Sequence, residues 1–311
     1  MHRWRAPGLW RSVRSCLLGL GLLCGLMFAG CAQTLTTAES NWMIQQEHAW
    51  KARIDFYAPL AQAAYRDSDV PLPTGYIRPI IPVPHAPARA SIAYAFGTDD
   101  VAHKHFIGIE GTRDLSDLMI DAKAVRREES RLTIPVHPGF EAVATAVYQD
   151  LKVQQRLKPG YTVGLTGHSL GGAVAVLLAM HLDKDNTVVD EVVTFGQPMV
   201  TDNEGIAAFN ALLERTVRVV ACDDVVPFLP PIGYTHGGSI LLLLDSPRFE
   251  VARQEVTRPF VVALRDDLRH LIDAGRPFYG HRMADYGARL KLPRTKPWRY
   301  TELDPRYCSG R

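Results

Sequence analysis

Cysteine is scarce in this chain, five residues in 311, and no cysteine–histidine cluster has metal-ligand spacing. No metal, and no other cofactor, is therefore expected. Charge of either sign is nearly balanced, 35 Lys and Arg against 33 Asp and Glu. Arg3, Arg5, Arg11 and Arg14 all precede an uncharged run from Ser15 to Ala38; without them the count becomes 31 against 33, about −2. That leaves no electrostatic case for nucleic acid as a partner. A long hydrophobic run is missing too: the apolar stretch from Cys16 to Phe28 falls short of the roughly 20 residues that span a bilayer. There is no internal repeat and no low-complexity tract. What is present is apolar side chain, 47% of the residues, enough for a large core and one α/β domain of 250 residues or more.

An Arg-rich start, a short apolar stretch and small residues before a cysteine form a targeting segment. Phe28-Ala29-Gly30-Cys31 resembles the lipobox of bacterial lipoproteins. The resemblance implies a signal peptide over residues 1–30 and a lipid anchor on Cys31 that tethers the protein to a membrane. Residues 31–40 read as a tether and 41–311 as the folded domain. Ala32 follows the cysteine, where an Asp would mark inner-membrane retention, so the outer membrane is favoured over the inner. Cys16 and Cys24 leave with the signal. Cys222 and Cys308 remain, as a pair or as separate thiols.

Trp42 to Tyr65 carries helical spacing, with Trp50, Ile54, Tyr57, Leu60, Ala61 and Ala64 on one stripe. Six prolines between Pro71 and Pro87 impose an extended crossing. Ser91–Phe96 and His105–Glu110 read as strands joined by a turn at Gly97-Thr98-Asp99-Asp100. Helix at Phe140–Leu157, strand at Tyr161–Thr166, helix at Leu170–Leu182, strand at Val188–Phe195, helix at Ala207–Glu214 and strand at Val217–Cys222 follow. A further strand falls at Ser239–Leu244 and a helical run at Val262–Ala274. Alternating strands and helices imply a mainly parallel central sheet with helices on both faces.

Gly167-His168-Ser169-Leu170-Gly171 fits G-x-S-x-G between an apolar strand and an apolar helix. A strand-to-helix turn strains its serine and pushes it into view, while Gly167, Gly171 and Gly172 remove the Cβ atoms that would block it. The helix N-terminus aims backbone N–H groups at any oxyanion that forms. Ser169 is thus the expected nucleophile of a hydrolase that works through an acyl-enzyme.

Further motifs appear in order: Ile109-Glu110-Gly111-Thr112-Arg113-Asp114, Asp117-Leu118-Met119-Ile120-Asp121, Val136-His137-Pro138-Gly139-Phe140, Thr194-Phe195-Gly196-Gln197-Pro198 and Asp224-Val225-Val226-Pro227-Phe228-Leu229-Pro230-Pro231. With the serine motif, they resemble the class 3 lipases, the fungal-lipase-like branch of the α/β hydrolases, from about Leu60 to Leu290. The resemblance implies the α/β-hydrolase fold and a lipid or small ester as substrate. It also implies an oxyanion hole built from Thr112 and the N–H of Leu170. Glu110 stands where that family has Arg or a neutral residue. His137 and Asp121 read as structural, fixing the loops by hydrogen bonds.

A serine needs a histidine to take its proton, and the histidine needs a carboxylate to hold its tautomer. In α/β hydrolases the chain order is serine, acid, histidine. Asp223 and Asp224 both follow a strand, where ligands bind in such sheets; the resemblance, with the acid three residues before proline, selects Asp224. After the acid stand His236, His270 and His281. His281 opens a stretch ending in Tyr286 that resembles the family's late H-x-x-x-Y element, which makes it the expected base ahead of the other two. Residues 113–131 read equally as a mobile cover or as a surface loop. Ser239–Leu244 is apolar enough for an interfacial patch, though a buried edge or penultimate strand explains it better. The expected activity is triacylglycerol lipase or esterase. The alternatives are a phospholipase, amidase or short-chain esterase with the same residues, or a catalytically silent envelope lipoprotein.

Overall fold

Runs of aliphatic and β-branched residues, closed by turn residues, form the strands that carry the site. A computed structural model describes residues 37–84, 91–112, 126–230, 232–243, 249–252 and 280–291. The chain divides into two units, Met1–Ser40 and Asn41–Arg311; of the first, only residues 37–40 are described, all helical. The helix α1 spans Thr37–Ala63. Strands β1 (Ile80–Pro82), β2 (Ser91–Asp99) and β3 (Lys104–Ile109) follow. A short ribbon pairs β4 (Arg127–Glu129) with β5 (Ile134–Val136). Then come α2 (Pro138–Val153), β6 (Thr162–His168), α3 (Leu170–Lys184) and β7 (Val189–Phe195). The remainder is α4 (Asn203–Ala208), α5 (Asn210–Leu213), β8 (Thr216–Ala221), β9 (Ser239–Leu243), β10 (Phe249–Ala252) and α6 (Met283–Leu290).

Among the described residues eight strands make one sheet in the order β1-β2-β3-β6-β7-β8-β9-β10. The pairs from β3 to β9 are parallel and the outer ones antiparallel. Side chains alternate between faces along each strand. Val192 therefore joins the core under α2 and α3, while Val193 and Phe195 join the one under α1 and α6. Every residue of α3 from Leu170 to Leu182 is buried, the pattern of a helix apolar all round. Each Leu or Val there contributes roughly 1.5–3 kcal/mol by burial. The expected stripe is the buried one: Ile54, Tyr57, Leu60 and Ala61 of α1 and Ala64 just past its end are inside, and Trp50 is partly buried against them. This is the α/β-hydrolase architecture, with parallel strands that end where the loops of a site gather.

Several boundaries differ from the sequence expectation. Strand β2 runs through Gly97 to Asp99, and the turn falls three residues later, at Asp100–His103. A Cβ at Gly97 would lie 2.2 Å from the Tyr76 ring, so this glycine serves close packing rather than a turn. The Pro-rich crossing supplies β1, an edge strand, where missing N–H donors cost little. The helix expected over Ala207–Glu214 is two short ones, α4 and α5: Asp202 caps Glu204 and Gly205, and Phe209 leaves helical geometry between them. Helix α2 stops at Val153, before Gln155 turns to φ 49°. Ser239–Leu243 is the penultimate strand and is buried beyond its first residue. Cys222 is a buried free thiol. Cys31, Asp121, His270, Cys308 and most of the 113–131 segment lie outside the described residues. Arg127–Glu129, at the end of that segment, is paired in the β4–β5 ribbon.

Candidate active site

Strand β6 delivers its last residue, His168, into the sheet opposite Phe195 of β7, and the chain then turns into α3 at Ser169. Ser169 sits at φ 58°, ψ −129°, a sparsely populated conformation that costs about 1–3 kcal/mol. Its N–H donates to the Phe195 carbonyl at 2.9 Å. The turn is tight enough that a Cβ on Gly171 would lie 2.3 Å from the Ile109 carbonyl oxygen. Leu170 opens α3, so its N–H belongs to the unpaired first turn of that helix.

The structure brings Ser169, His281 and Asp224 together. The Ser169 hydroxyl donates to His281 Nε2 at 2.8 Å, and His281 Nδ1–H donates to Asp224 Oδ2 at 2.8 Å. All three are buried. A carboxylate can only accept, so the Nδ1 proton is fixed and Nε2 presents its lone pair to the serine. Asp224 Oδ1 accepts from the Val226 N–H at 2.9 Å, and Oδ2 also accepts from the Tyr286 hydroxyl at 2.5 Å. Desolvation first, and the Asp224 charge second, hold the Tyr286 phenol well above its ordinary pKa, so it remains a donor. Gly196, at φ 56°, leaves room for the pair: a Cβ there would lie 2.8 Å from Asp224 Oδ2 and 3.0 Å from the His281 ring.

The rivals are placed elsewhere. Asp223 accepts from Arg289 at 2.6 Å. His236 Nε2 donates to the Pro227 carbonyl at 2.6 Å and so braces the loop after the acid. His137 caps α2, accepting from the Phe140 N–H at 3.3 Å with its ring stacked on Phe140. Glu110 is tied by Arg66, whose Nη2 lies 2.8 Å from its carboxylate, and by the Ala93 N–H at 3.0 Å. Burial opposes its ionisation, yet the Arg66 and backbone hydrogen bonds outweigh that and set its pKa below the usual value. Thr112 lines a cavity of about 480 Å³ together with Tyr65, Asp67, His168, His281 and Arg282. Among the described residues no cluster of His, Cys, Asp and Glu is arranged to hold a metal. No described helix is long and apolar enough to cross a membrane.

Three residues given no role from sequence belong to this neighbourhood: Tyr286, His168 and Tyr65. Tyr286 had a signal, since it closes the late motif that His281 opens. His168 and Tyr65 had none; their contact spans 103 positions. Burial holds the His168 and His236 rings well below the ordinary histidine pKa. An unfolded chain takes up those protons below about pH 6.5 and the folded one does not. Stability is thus fully present above that pH and is expected to fall as pH drops through it, by up to about 1.4 kcal/mol per pH unit for each ring. Urea midpoints at pH 7 and pH 5 measure this; equal midpoints would contradict it.

Residues 106–234 match the family Lipase (class 3). Over 187 residues the chain is 33% identical to Lipase A of Sodiomyces alcalophilus, covering 47% of this chain and 45% of that one. It is 40% identical over 110 residues to secreted mono- and diacylglycerol lipase 1 of Fusarium solani, 32% of each chain. The chain thus spans less than half the length of these curated relatives. In architecture it is similar to the lipase of Rhizopus microsporus var. chinensis, at TM-score 0.53 and 24% identity over 63% of this chain and 75% of that one. Lipase II of Rhizopus niveus gives TM-score 0.53 at 22% identity over 68% and 91%.

Proposed function

We propose that the chain is a class 3 lipase, on the match of its residues 106–234 to that family, and that it hydrolyses carboxylic esters of lipids through an acyl-enzyme on Ser169. The observation that carries this reading is the buried row Ser169–His281–Asp224, hydrogen-bonded at 2.8 Å on both sides of the imidazole. In the first half-reaction Ser169 Oγ bonds to the ester carbonyl carbon while His281 takes the hydroxyl proton. Charge collects on the carbonyl oxygen, where the Leu170 N–H and Thr112 serve as donors; removing one such donor costs about 3–4 kcal/mol. Collapse breaks the bond to the alcohol, and His281 returns the proton to its oxygen. Water then repeats the sequence on the acyl-enzyme, releasing the acid and restoring Ser169. Asp224 holds the imidazole tautomer and stabilises its charged form throughout.

The mono-, di- and triacylglycerol lipases among its relatives support an acylglycerol as the substrate class. A series of p-nitrophenyl and glycerol esters, monomeric and emulsified, tests this. Turnover that rises with chain length and at the emulsion interface supports a lipase. Turnover confined to short soluble esters would make it an esterase, and none at all would refute the reading.

The proposal extends to location: an outer-membrane lipoprotein, cleaved before Cys31 and held by acyl chains on that cysteine. Phe28-Ala29-Gly30-Cys31 behind a 13-residue apolar stretch, with Ala32 next, supports it, and more than one acyl chain makes anchoring stable. Cys31→Ser is expected to leave an unprocessed precursor or soluble protein, read by fractionation and intact mass. A mature N-terminus elsewhere, with no acyl mass, would end this part.

A further inference from the structure

We propose that His168, immediately before the nucleophile, is the positioning residue for His281, and that Tyr65, donating to its Nδ1, holds the ring in the orientation in which it can act. The inference rests on the reading of His281 as the base.

The His168 side chain is buried, at the edge of the cavity that Tyr65 also lines. Its Nε2 lies 2.6 Å from the main-chain oxygen of His281, and its Nδ1 lies 2.7 Å from the Tyr65 hydroxyl. A carbonyl only accepts, so Nε2 carries the proton. Nδ1 is then the acceptor, and the tyrosine hydroxyl donates to it. The opposite tautomer would set the Nε2 lone pair against the His281 carbonyl, so that carbonyl fixes the working form, and the Tyr65 hydroxyl, donating to Nδ1, holds the ring in it. This is the tautomer logic by which a carboxylate sets the base, applied one residue further out.

His281 needs such a hold. It follows Gly280, at φ 74°, and precedes α6, so it sits on a turn and not in the sheet. Asp224 fixes its ring through Nδ1, while His168 fixes its backbone and is itself clamped in the β6–β7 register. The same strand end thus presents the serine and anchors the residue that must meet it at 2.8 Å. Burial keeps His168 uncharged, and the neighbouring His281 acts in the same direction. With ring centroids 4.7 Å apart, a second cation would oppose the imidazolium that His281 becomes in each half-reaction; a neutral ring does not. The pair also braces the oxyanion loop. A Cβ on Gly111 would lie 2.1 Å from the Tyr65 hydroxyl and 2.5 Å from the His168 carbonyl oxygen.

The test compares His168→Phe, His168→Gln and Tyr65→Phe in the full chain, on a soluble chromogenic ester, with folding checked by circular dichroism. Phenylalanine keeps ring volume and removes the donor. It is expected to lower kcat roughly 10–100-fold, with KM changed less than about twofold, as for a misplaced catalytic group. Glutamine, whose Nε2–H reaches a similar distance, should recover at least about half of that loss on a logarithmic scale. Tyr65→Phe should lower kcat about 3–10-fold through the loosened His168 ring, and adding it to His168→Gln should cost little more. Wild-type kcat in His168→Phe, or equal loss in the Phe and Gln variants, would overturn the inference. If His168→Phe does not fold, wild-type kcat in Tyr65→Phe overturns it. His281→Ala separates the two levels: if that variant still turns over, the base assignment falls and this inference with it. If His281→Ala is inactive while the His168 and Tyr65 variants are unimpaired, only this inference falls.

Discussion

Ser169→Ala is expected to give a folded protein that has lost at least roughly a thousandfold in kcat/KM, about 4 kcal/mol of transition-state stabilisation. Alanine keeps the Cβ and therefore the same backbone strain at φ 58°, so the elbow and the packing of α3 should survive. What remains is the oxyanion hole and the positioning of substrate, which alone still accelerate hydrolysis over water. A fluorophosphonate should label Ser169 in the wild-type chain and nothing in the variant. A label on any other residue, mapped by mass spectrometry, would remove Ser169 from its role.

A loss as large is expected from His281→Ala, with the Ser169→Ala/His281→Ala double variant no slower than either alone. The hydroxyl and the imidazole act as one unit, and removing either disables the proton transfer that the other requires. Additive losses would mean that His281 works apart from Ser169. His236→Ala should keep most of its activity: that ring is spent on the Pro227 carbonyl and supports the acid loop from behind. A dead His236→Ala with an active His281→Ala would transfer the base to His236.

The parts of this arrangement that were legible in the sequence are local ones. An apolar strand, a glycine-flanked serine and an all-apolar helix occupy consecutive positions, so periodicity and turn chemistry suffice to foresee the elbow. Chain order, the spacing of the acid to Pro227 and the late motif point to Asp224 and His281, and the structure places both in one hydrogen-bonded row with Ser169. The misplaced features have nonlocal causes. Gly97 looks like a turn residue until the Tyr76 ring is found over it. β1, β4, β5 and β10 are three or four residues long, too short for an alternation to register, and exist because a neighbouring strand offers an edge. Tyr65 and His168 carry no spacing that announces their contacts, because partners 103 and 113 positions apart are chosen by the tertiary fold.

The 112 positions between Ser169 and His281 also set an order in time. A ribosome adds roughly 5–20 residues each second, so on the order of 5–20 s elapse between synthesis of the serine and arrival of the histidine that activates it. A nascent chain interrupted anywhere before residue 280 carries a serine with no base, and such a hydroxyl is a weak nucleophile. The chain therefore passes through synthesis without a complete row of Ser169, His281 and Asp224, which closes only once the segment that carries His281 has folded into place.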